Sequence, residues 1–142
     1  AAACEEEPDY LFDFATLTGA ARVALGPELP ALFSNNEELG RDLQKVSWAV
    51  NDKVWQLPLY GNYLNYMKSD LADLMNSSSA PFAGAVTAAL YLQEFVSDVV
   101  KWVHLDAYCW NPKATAGYAL GGDAQSIRAV FTYLSDVVGE PL

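Results

Sequence analysis

Apolar residues along this chain follow two spacings, one typical of strands and one typical of helices. Short apolar runs predict strands at residues 10–15, 31–34 and 102–106. Apolar residues three or four positions apart predict helices at residues 35–50, 84–96 and 127–138. Because strand and helix signals alternate, we expect an α/β fold around a central, largely parallel or mixed sheet, without an internal domain boundary.

Residues that cap or interrupt helices set the predicted helix ends. Asn35, followed three residues later by Glu38, predicts the start of the first of these helices. Gly139 and Pro141 end the last one. The helix at residues 84–96 is apolar nearly all round, so it is expected to be buried on more than one side.

The strand at residues 10–15 leads into a turn, Thr16-Leu17-Thr18-Gly19, with two hydroxyl groups and a glycine. Ligands of open α/β sheets bind at the carboxyl ends of strands, where this turn is expected to lie. Gly19 has no Cβ, so its backbone can adopt unusual dihedral angles and its amide can approach a bound group closely. The turn is therefore the candidate binding loop of the chain.

The composition excludes several classes of protein. Of 142 residues, 52% are hydrophobic and 18% charged, which is typical of a folded chain. No apolar run reaches the roughly 18–20 residues that span a bilayer, so a soluble protein is expected. The formal net charge is −10 and the eight lysines and arginines are scattered, which argues against a nucleic-acid partner. Cys4 and Cys109 form no C-x-x-C motif and are expected to be reduced thiols of a cytosolic protein.

Candidates for acid–base or metal chemistry are few. His104 is the one histidine, but a hydrogen-bonded histidine in a buried strand is more common than a catalytic one. Strand alternation places His104 on one face with Trp102 and Asp106. Asp13 is expected to be hydrogen-bonded or at a sheet edge rather than a metal ligand. No G-x-S-x-G motif supplies a serine nucleophile.

Residues 60–67 interleave three tyrosines with two asparagines. Such an aromatic stripe could form a wall of a substrate site. A short surface helix that places its aromatic rings at a subunit contact is the favoured interpretation, because aromatic side chains are enriched at protein interfaces.

Five sequence blocks together resemble the leucyl aminopeptidase family of dinuclear-metal enzymes. In the order of that family, the blocks are A-T-L-T-G-A at residues 15–20, W-x-L-P-L at 55–59, S-D-L-A-D-L-M-N at 69–76, G-A-x-T-A-A-x-F-L-x-x-F at 84–95 and W-x-H-L-D at 102–106. The third block is similar to the S-x-x-A-D-x-N of the family. Tyr91 stands where the fourth block usually has phenylalanine. The set of five is far more specific than any single block.

The resemblance implies a three-layer α/β domain, in which helices flank a mixed central sheet, with the phosphorylase/hydrolase-like fold of zinc aminopeptidases. It implies two divalent ions, zinc or manganese, that activate a bridging water and polarise the scissile carbonyl. The N-T-D-A-E-G-R segment that binds these ions in the family, and the family's catalytic lysine and arginine, would precede Ala1. Residues 1–142 are therefore expected to be the C-terminal portion of a single catalytic domain, inactive alone and without a metal ligand or catalytic residue of its own.

The resemblance also implies substrate contacts. Thr16 and Gly19 match loop positions that border the side-chain pocket, and Leu17 matches a residue whose main-chain carbonyl holds the substrate amide. Leu90 matches a pocket wall. The implied partners are a peptide substrate and identical subunits of a hexamer, in the cytoplasm. The resemblance implies that Asp70 and Asp73 are structural residues rather than metal ligands. It also implies that neither Arg22 nor Arg128 corresponds to the catalytic arginine of the family.

The sequence departs from the family pattern after the last block. Residues 107–110 read A-Y-C-W where the family continues I-A-G, and residues 117–123 replace a G-A-T-G element that forms part of the side-chain pocket. The preferred N-terminal residue is therefore open. A non-catalytic aminopeptidase-like domain for assembly or peptide binding is the alternative to an enzyme.

Overall fold

The centre of the fold is a mixed sheet of four strands. The computed structural model describes residues 1–78 and 80–139. In sequence order the strands are β1 (Tyr10–Ala15), β2 (Ala31–Ser34), β3 (Trp55–Gln56) and β4 (Lys101–Asp106), and in space they lie in the order β1-β4-β2-β3. Strand β4 runs parallel to β1 and antiparallel to β2, while β3 runs parallel to β2. The predicted mixed sheet is confirmed.

Helices surround this sheet. The α-helices are α1 (Gly19–Leu25), α2 (Glu37–Ala49), α3 (Gly84–Gln93) and α4 (Ile127–Val138), and short 3-10 helices occupy Ala2–Glu6 and Gly61–Met67. A small hairpin joins β5 (Trp110–Asn111) to β6 (Gly121–Gly122). The three predicted helices are confirmed, whereas α1 was not predicted. The predicted stop at Pro141 lies outside the described residues, and within them no helix is long and apolar enough to cross a bilayer.

Separate apolar clusters cover the two faces of the sheet. Val103 and Leu105 of β4 pack with α2 and α4. Ala31 and Phe33 of β2 pack with α1 and α3 on the other side. His104 lies on that second side, where its ring stacks on Phe33 with centroids 5.9 Å apart. This division confirms the three layers and the alternation predicted for β4.

The cap of α2 lies one residue later than predicted. Asn36, not Asn35, accepts a hydrogen bond from the Leu39 amide at 2.9 Å. The Asn35 side chain instead bridges to β4, where it donates to the Val100 carbonyl at 2.9 Å and accepts from the Trp102 amide at 2.8 Å. Asn35 follows the last residue of β2, so its side-chain amide continues the hydrogen bonding of β2 with β4 beyond the end of the strand.

Helix α4 is capped by a residue that is distant in sequence. Ser126 precedes the helix in a left-handed conformation, with φ of 72°, and its side chain makes no cap. Asp52 provides the acceptors instead, because its carboxylate binds the amides of Ser126 and Ala129 at 2.9 and 3.0 Å. The buried carboxylate therefore joins the turn after α2 to the start of α4.

Replacing Asp52 by alanine is expected to lower the free energy of unfolding by about 2 kcal/mol, because two buried amides at the start of α4 lose their acceptors. Asp98→Ala, at an exposed position, is the matched control and should change stability by less than about 0.5 kcal/mol. Urea unfolding followed by circular dichroism measures both. Equal midpoints for the two variants would contradict the capping role.

Candidate functional site

A groove of about 360 Å³ lies at the carboxyl ends of β1 and β4. The two strands are parallel neighbours, so their carboxyl ends meet at one edge of the sheet. The groove is lined by residues of the predicted binding loop, of α1 and of the segment after β4: Thr16, Leu17, Thr18, Gly19, Arg22, Ala107 and Tyr108. The loop predicted from the sequence therefore forms one side of a solvent-accessible hollow.

Asp106, at the end of β4, fixes the conformation of this loop. One carboxylate oxygen accepts hydrogen bonds from the amides of Leu17 and Thr18, at 3.0 and 3.2 Å. The other accepts from the Thr18 hydroxyl at 2.7 Å. Only 3% of Asp106 is exposed, so solvent competes little for these bonds. Hydrogen bonds to a buried charged acceptor are stronger than those between neutral groups.

Thr18 connects the Asp106 carboxylate to the first turn of α1. Its hydroxyl oxygen donates to Asp106 and also accepts from the Ala21 amide at 3.0 Å, which makes Thr18 the N-cap of the helix. The Ala107 amide donates to the Ala15 carbonyl at 2.9 Å and extends the pairing of the two strand ends. The end of β1, the end of β4 and the start of α1 are thus held together by one connected set of hydrogen bonds.

The anchored loop presents free polar groups and open space. Leu17 is 43% exposed, and its carbonyl accepts no hydrogen bond from residues 1–78 or 80–139. Gly19 is the first residue of α1 and does not have the positive φ that glycine alone adopts readily. A Cβ at Gly19 would meet nothing within 4 Å. The contribution of Gly19 is therefore unoccupied volume beside the groove rather than an unusual backbone conformation.

The structure brings together three of the four predicted substrate contacts. Thr16, Leu17 and Gly19 line the groove, whereas Leu90 is buried in α3 and does not line it. The assignment of Leu90 to a pocket wall stays a prediction.

Two large side chains of the groove were not predicted from the sequence. Arg22 lies one helical turn after Gly19, so the start of α1 directs both toward the same side. Tyr108 follows the end of β4. The Arg22 guanidinium carbon lies 4.9 Å from the centroid of the Tyr108 ring. The departure of residues 107–110 from the family pattern was the available signal for Tyr108, but nothing in the sequence paired it with Arg22.

His104 is a structural residue of the sheet, as expected. It is fully buried, and its Nδ1 lies 2.6 Å from a carboxylate oxygen of Asp13. The other oxygen of Asp13 accepts from the Trp102 indole at 2.7 Å. The expectation that Asp13 is hydrogen-bonded is therefore confirmed, and both of its oxygens are occupied within the sheet.

The donor set of the described residues does not fit a dinuclear metal centre, because they contain no group of three or more histidine, cysteine, aspartate or glutamate side chains that could hold an ion. Asp70 and Asp73 are exposed. Cys4 and Cys109 are free thiols. Burial raises the pKa of the Cys109 thiol, because the thiolate loses solvation, so this group is a weak nucleophile at neutral pH.

A second, larger hollow of about 450 Å³ lies at the far edge of the sheet, between α2 and β3. Within it, the Gln44 side-chain oxygen accepts from the Gln56 amide at 2.6 Å and so occupies a donor of the edge strand. The loops after β1 and β4 do not reach this hollow. The groove beside Asp106 is therefore the better candidate site, although it is the smaller of the two.

Comparison with known proteins shows the family of the chain. The model of the cytosol aminopeptidase family, catalytic domain, matches residues 1–131. A probable cytosol aminopeptidase of Prochlorococcus marinus is 43% identical over 133 residues, which cover 92% of this chain and 27% of that protein. The crystal structure of cytosol aminopeptidase from Coxiella burnetii superposes with a TM-score of 0.91 at 52% identity, covering 95% of this chain and 30% of that one.

A more distant relative has been solved with a metal. The bottromycin maturation enzyme BotP in complex with Mn superposes with a TM-score of 0.85 at 32% identity, over 91% of this chain and 29% of that one. The chain thus spans less than a third of the length of these relatives. The family model, the sequence relatives and the fold agree with the resemblance carried by the five sequence blocks, and the chain belongs to the cytosol aminopeptidase family.

Proposed function

We propose that the protein containing these residues removes N-terminal amino acids from peptides, and that residues 16–19 form one wall of its substrate groove. The observation that carries this proposal is the loop held by Asp106, whose Leu17 carbonyl accepts no hydrogen bond from the residues that the structure describes. A peptide substrate carries amide N–H donors, and a fixed carbonyl is the acceptor that orients them. In this proposal residues 1–142 are the C-terminal portion of a single catalytic domain.

The groove can orient a peptide without further rearrangement of the loop. Leu17 supplies an apolar side chain and a carbonyl, Thr16 is exposed beside it, and Gly19 leaves room for a substrate side chain. Because Asp106 already fixes the loop, substrate binding does not have to pay the conformational entropy of ordering it. Such preorganisation favours productive orientation of the scissile bond.

We propose that the whole protein depends on two divalent ions, zinc or manganese, which would supply activation of water. The solved Mn complex of BotP supports this dependence. The described residues do not form such a centre, so the ligands and the catalytic residues are assigned to other parts of the protein. The role of this chain is to bind and orient the substrate.

We also propose a homo-oligomer, a hexamer by resemblance, located in the cytoplasm. The relatives named cytosol aminopeptidases support the location. Tyr60, which precedes the 3-10 helix Gly61–Met67, forms a row of aromatic rings with Tyr63 and Tyr66 of that helix, with successive centroids 5.0 and 5.3 Å apart. These rings do not line the groove. Their position favours a subunit contact over a substrate wall.

The alternative function is a non-catalytic domain that binds peptides or mediates assembly. An assembly role is consistent with the aromatic rings of Tyr60, Tyr63 and Tyr66. The two hypotheses differ in one respect that can be measured, which is turnover.

The full-length protein is expected to release the anilide from leucine anilide in the presence of manganese. Hydrolysis should fall at least about tenfold after chelation and recover when manganese is restored, because metal-bound water has a much lower pKa than free water. Release of the anilide is followed by absorbance. If no aminoacyl substrate is hydrolysed with either manganese or zinc, the enzyme proposal is wrong and the binding module is favoured.

Asp106→Asn is expected to lower kcat/KM for leucine anilide by about ten- to a hundredfold, or about 1.4–2.8 kcal/mol of transition-state stabilisation. Asparagine has one acceptor oxygen and no charge, so it cannot accept from the Thr18 hydroxyl as well as from the two loop amides, and the bonds that remain are weaker. Asp98→Asn serves as the matched control and should leave kcat/KM unchanged. Circular dichroism must show both variants folded at the assay temperature. A folded Asp106→Asn variant with wild-type kcat/KM would show that the loop conformation does not matter for turnover.

A further inference from the structure

We propose that Arg22, held against Tyr108, recognises a carboxylate of the substrate and makes the groove selective for peptides that carry one close to the scissile bond. This inference rests on the proposed function and adds a substrate class to it. The carboxylate has two sources in a peptide: the α-carboxylate of a dipeptide, or an acidic side chain on the residue after the one removed.

The location of Arg22 is the first observation. Arg22 lines the same groove as the loop held by Asp106. The other residues of the lining are uncharged: Thr16, Leu17, Thr18, Gly19, Ala107 and Tyr108. The carboxylate of Asp106 lies nearby, but three hydrogen bonds from the loop already occupy its oxygens. Arg22 is therefore the one cation among the residues that line the groove.

The second observation is that Arg22 has no internal partner. The chain has 18 acidic residues and only eight basic ones, so acidic partners are in excess. Nevertheless, in the part of the chain that the structure describes, the ion pair within 4.0 Å is that of His104 with Asp13, and no hydrogen bond uses the Arg22 side chain. Arg128 differs, because its guanidinium donates to the Asn51 carbonyl at 3.1 Å. The N–H donors of Arg22 remain available to a ligand.

The Tyr108 ring packs against this cation. The guanidinium carbon lies 4.9 Å from the ring centroid, within the range of a cation–π interaction. A ring occupies one face of the guanidinium and leaves its edge, where the N–H groups lie, free.

The N–H groups along the edge of the Arg22 guanidinium suit a carboxylate ligand. Guanidinium binds carboxylate through two parallel N–H···O hydrogen bonds, which are stronger than neutral ones and specific in geometry. With a net charge of −10, this chain on balance repels an anionic substrate. Recognition of a carboxylate therefore requires a cation at short range within the groove, and Arg22 is placed to act as one.

Four substrates test the proposal in the full-length protein with manganese: Leu-Gly, Leu-Gly amide, Leu-Asp amide and leucine anilide. Arg22→Gln should lower kcat/KM about tenfold for at least one of the two substrates that carry a carboxylate, because a charge-assisted hydrogen bond is lost. Leu-Gly amide and leucine anilide should change less than about twofold, since they have no carboxylate for Arg22 to bind. A loss for Leu-Gly assigns the α-carboxylate, and a loss for Leu-Asp amide assigns the side chain.

Matched variants separate recognition from folding. Arg128→Gln removes an arginine outside the groove and should leave all four substrates unchanged. Tyr108→Phe keeps the ring and should retain the discrimination, whereas Tyr108→Leu should reduce it. Raising the salt concentration should weaken the preference of the wild-type protein for the carboxylate substrate, because the interaction is exposed to screening.

The proposal is overturned if Arg22→Gln lowers kcat/KM equally for all four substrates, or for none of them. Cleavage of leucine anilide would then leave the proposed function standing while the carboxylate site fails. If no substrate is cleaved, the proposed function fails. Calorimetry then tests the Arg22 site by comparing the binding of Leu-Gly and of Leu-Asp amide with the binding of Leu-Gly amide. Tighter binding of a carboxylate compound that is lost in Arg22→Gln would support the site, and equal binding would overturn it.

Discussion

The buried carboxylate of Asp106 is the interaction on which the candidate site depends. It lies at the end of β4 and holds three donors of the loop that follows β1. Because β1 and β4 are parallel neighbours, a single side chain can reach across from one strand end to the next. The Thr18 hydroxyl extends the same set of bonds to the first turn of α1. The Asp106 carboxylate therefore holds the sheet, the loop after β1 and the start of α1 together.

This anchor explains which groups of the loop are available to a ligand. Asp106 uses the amides of Leu17 and Thr18, so the loop offers a carbonyl, an apolar side chain and open volume at Gly19 rather than amide donors. A groove with that character suits a peptide, whose own amides donate hydrogen bonds. Arg22 and Tyr108 add a positive charge to an otherwise uncharged lining. In the proposed function these residues bind and orient the substrate, and bond cleavage is assigned to other parts of the protein.

Local sequence signals predicted those parts of the fold that depend on local physics. The apolar run before Thr16 predicted β1 and placed the loop at its carboxyl end. Helix α1 was missed because it has only seven residues, and its cap depends on an acid 88 residues later in the chain. The cap of α2 was shifted by one residue, because two adjacent asparagines have the same propensity and only the position of β4 separates their roles. The pairing of Arg22 with Tyr108 is equally a product of tertiary structure.

Amide hydrogen exchange at Leu17 and Thr18 in the full-length protein is the most direct test of the loop anchored by Asp106. Both amides lie in an exposed turn, yet both donate to a buried carboxylate. They should exchange at least about a hundredfold more slowly than in an unstructured peptide, because exchange requires local opening of these bonds. They should lose this protection in Asp106→Ala, which removes both acceptor oxygens. Exchange at the unstructured rate in the wild-type protein would contradict a preorganised loop and the substrate groove built upon it.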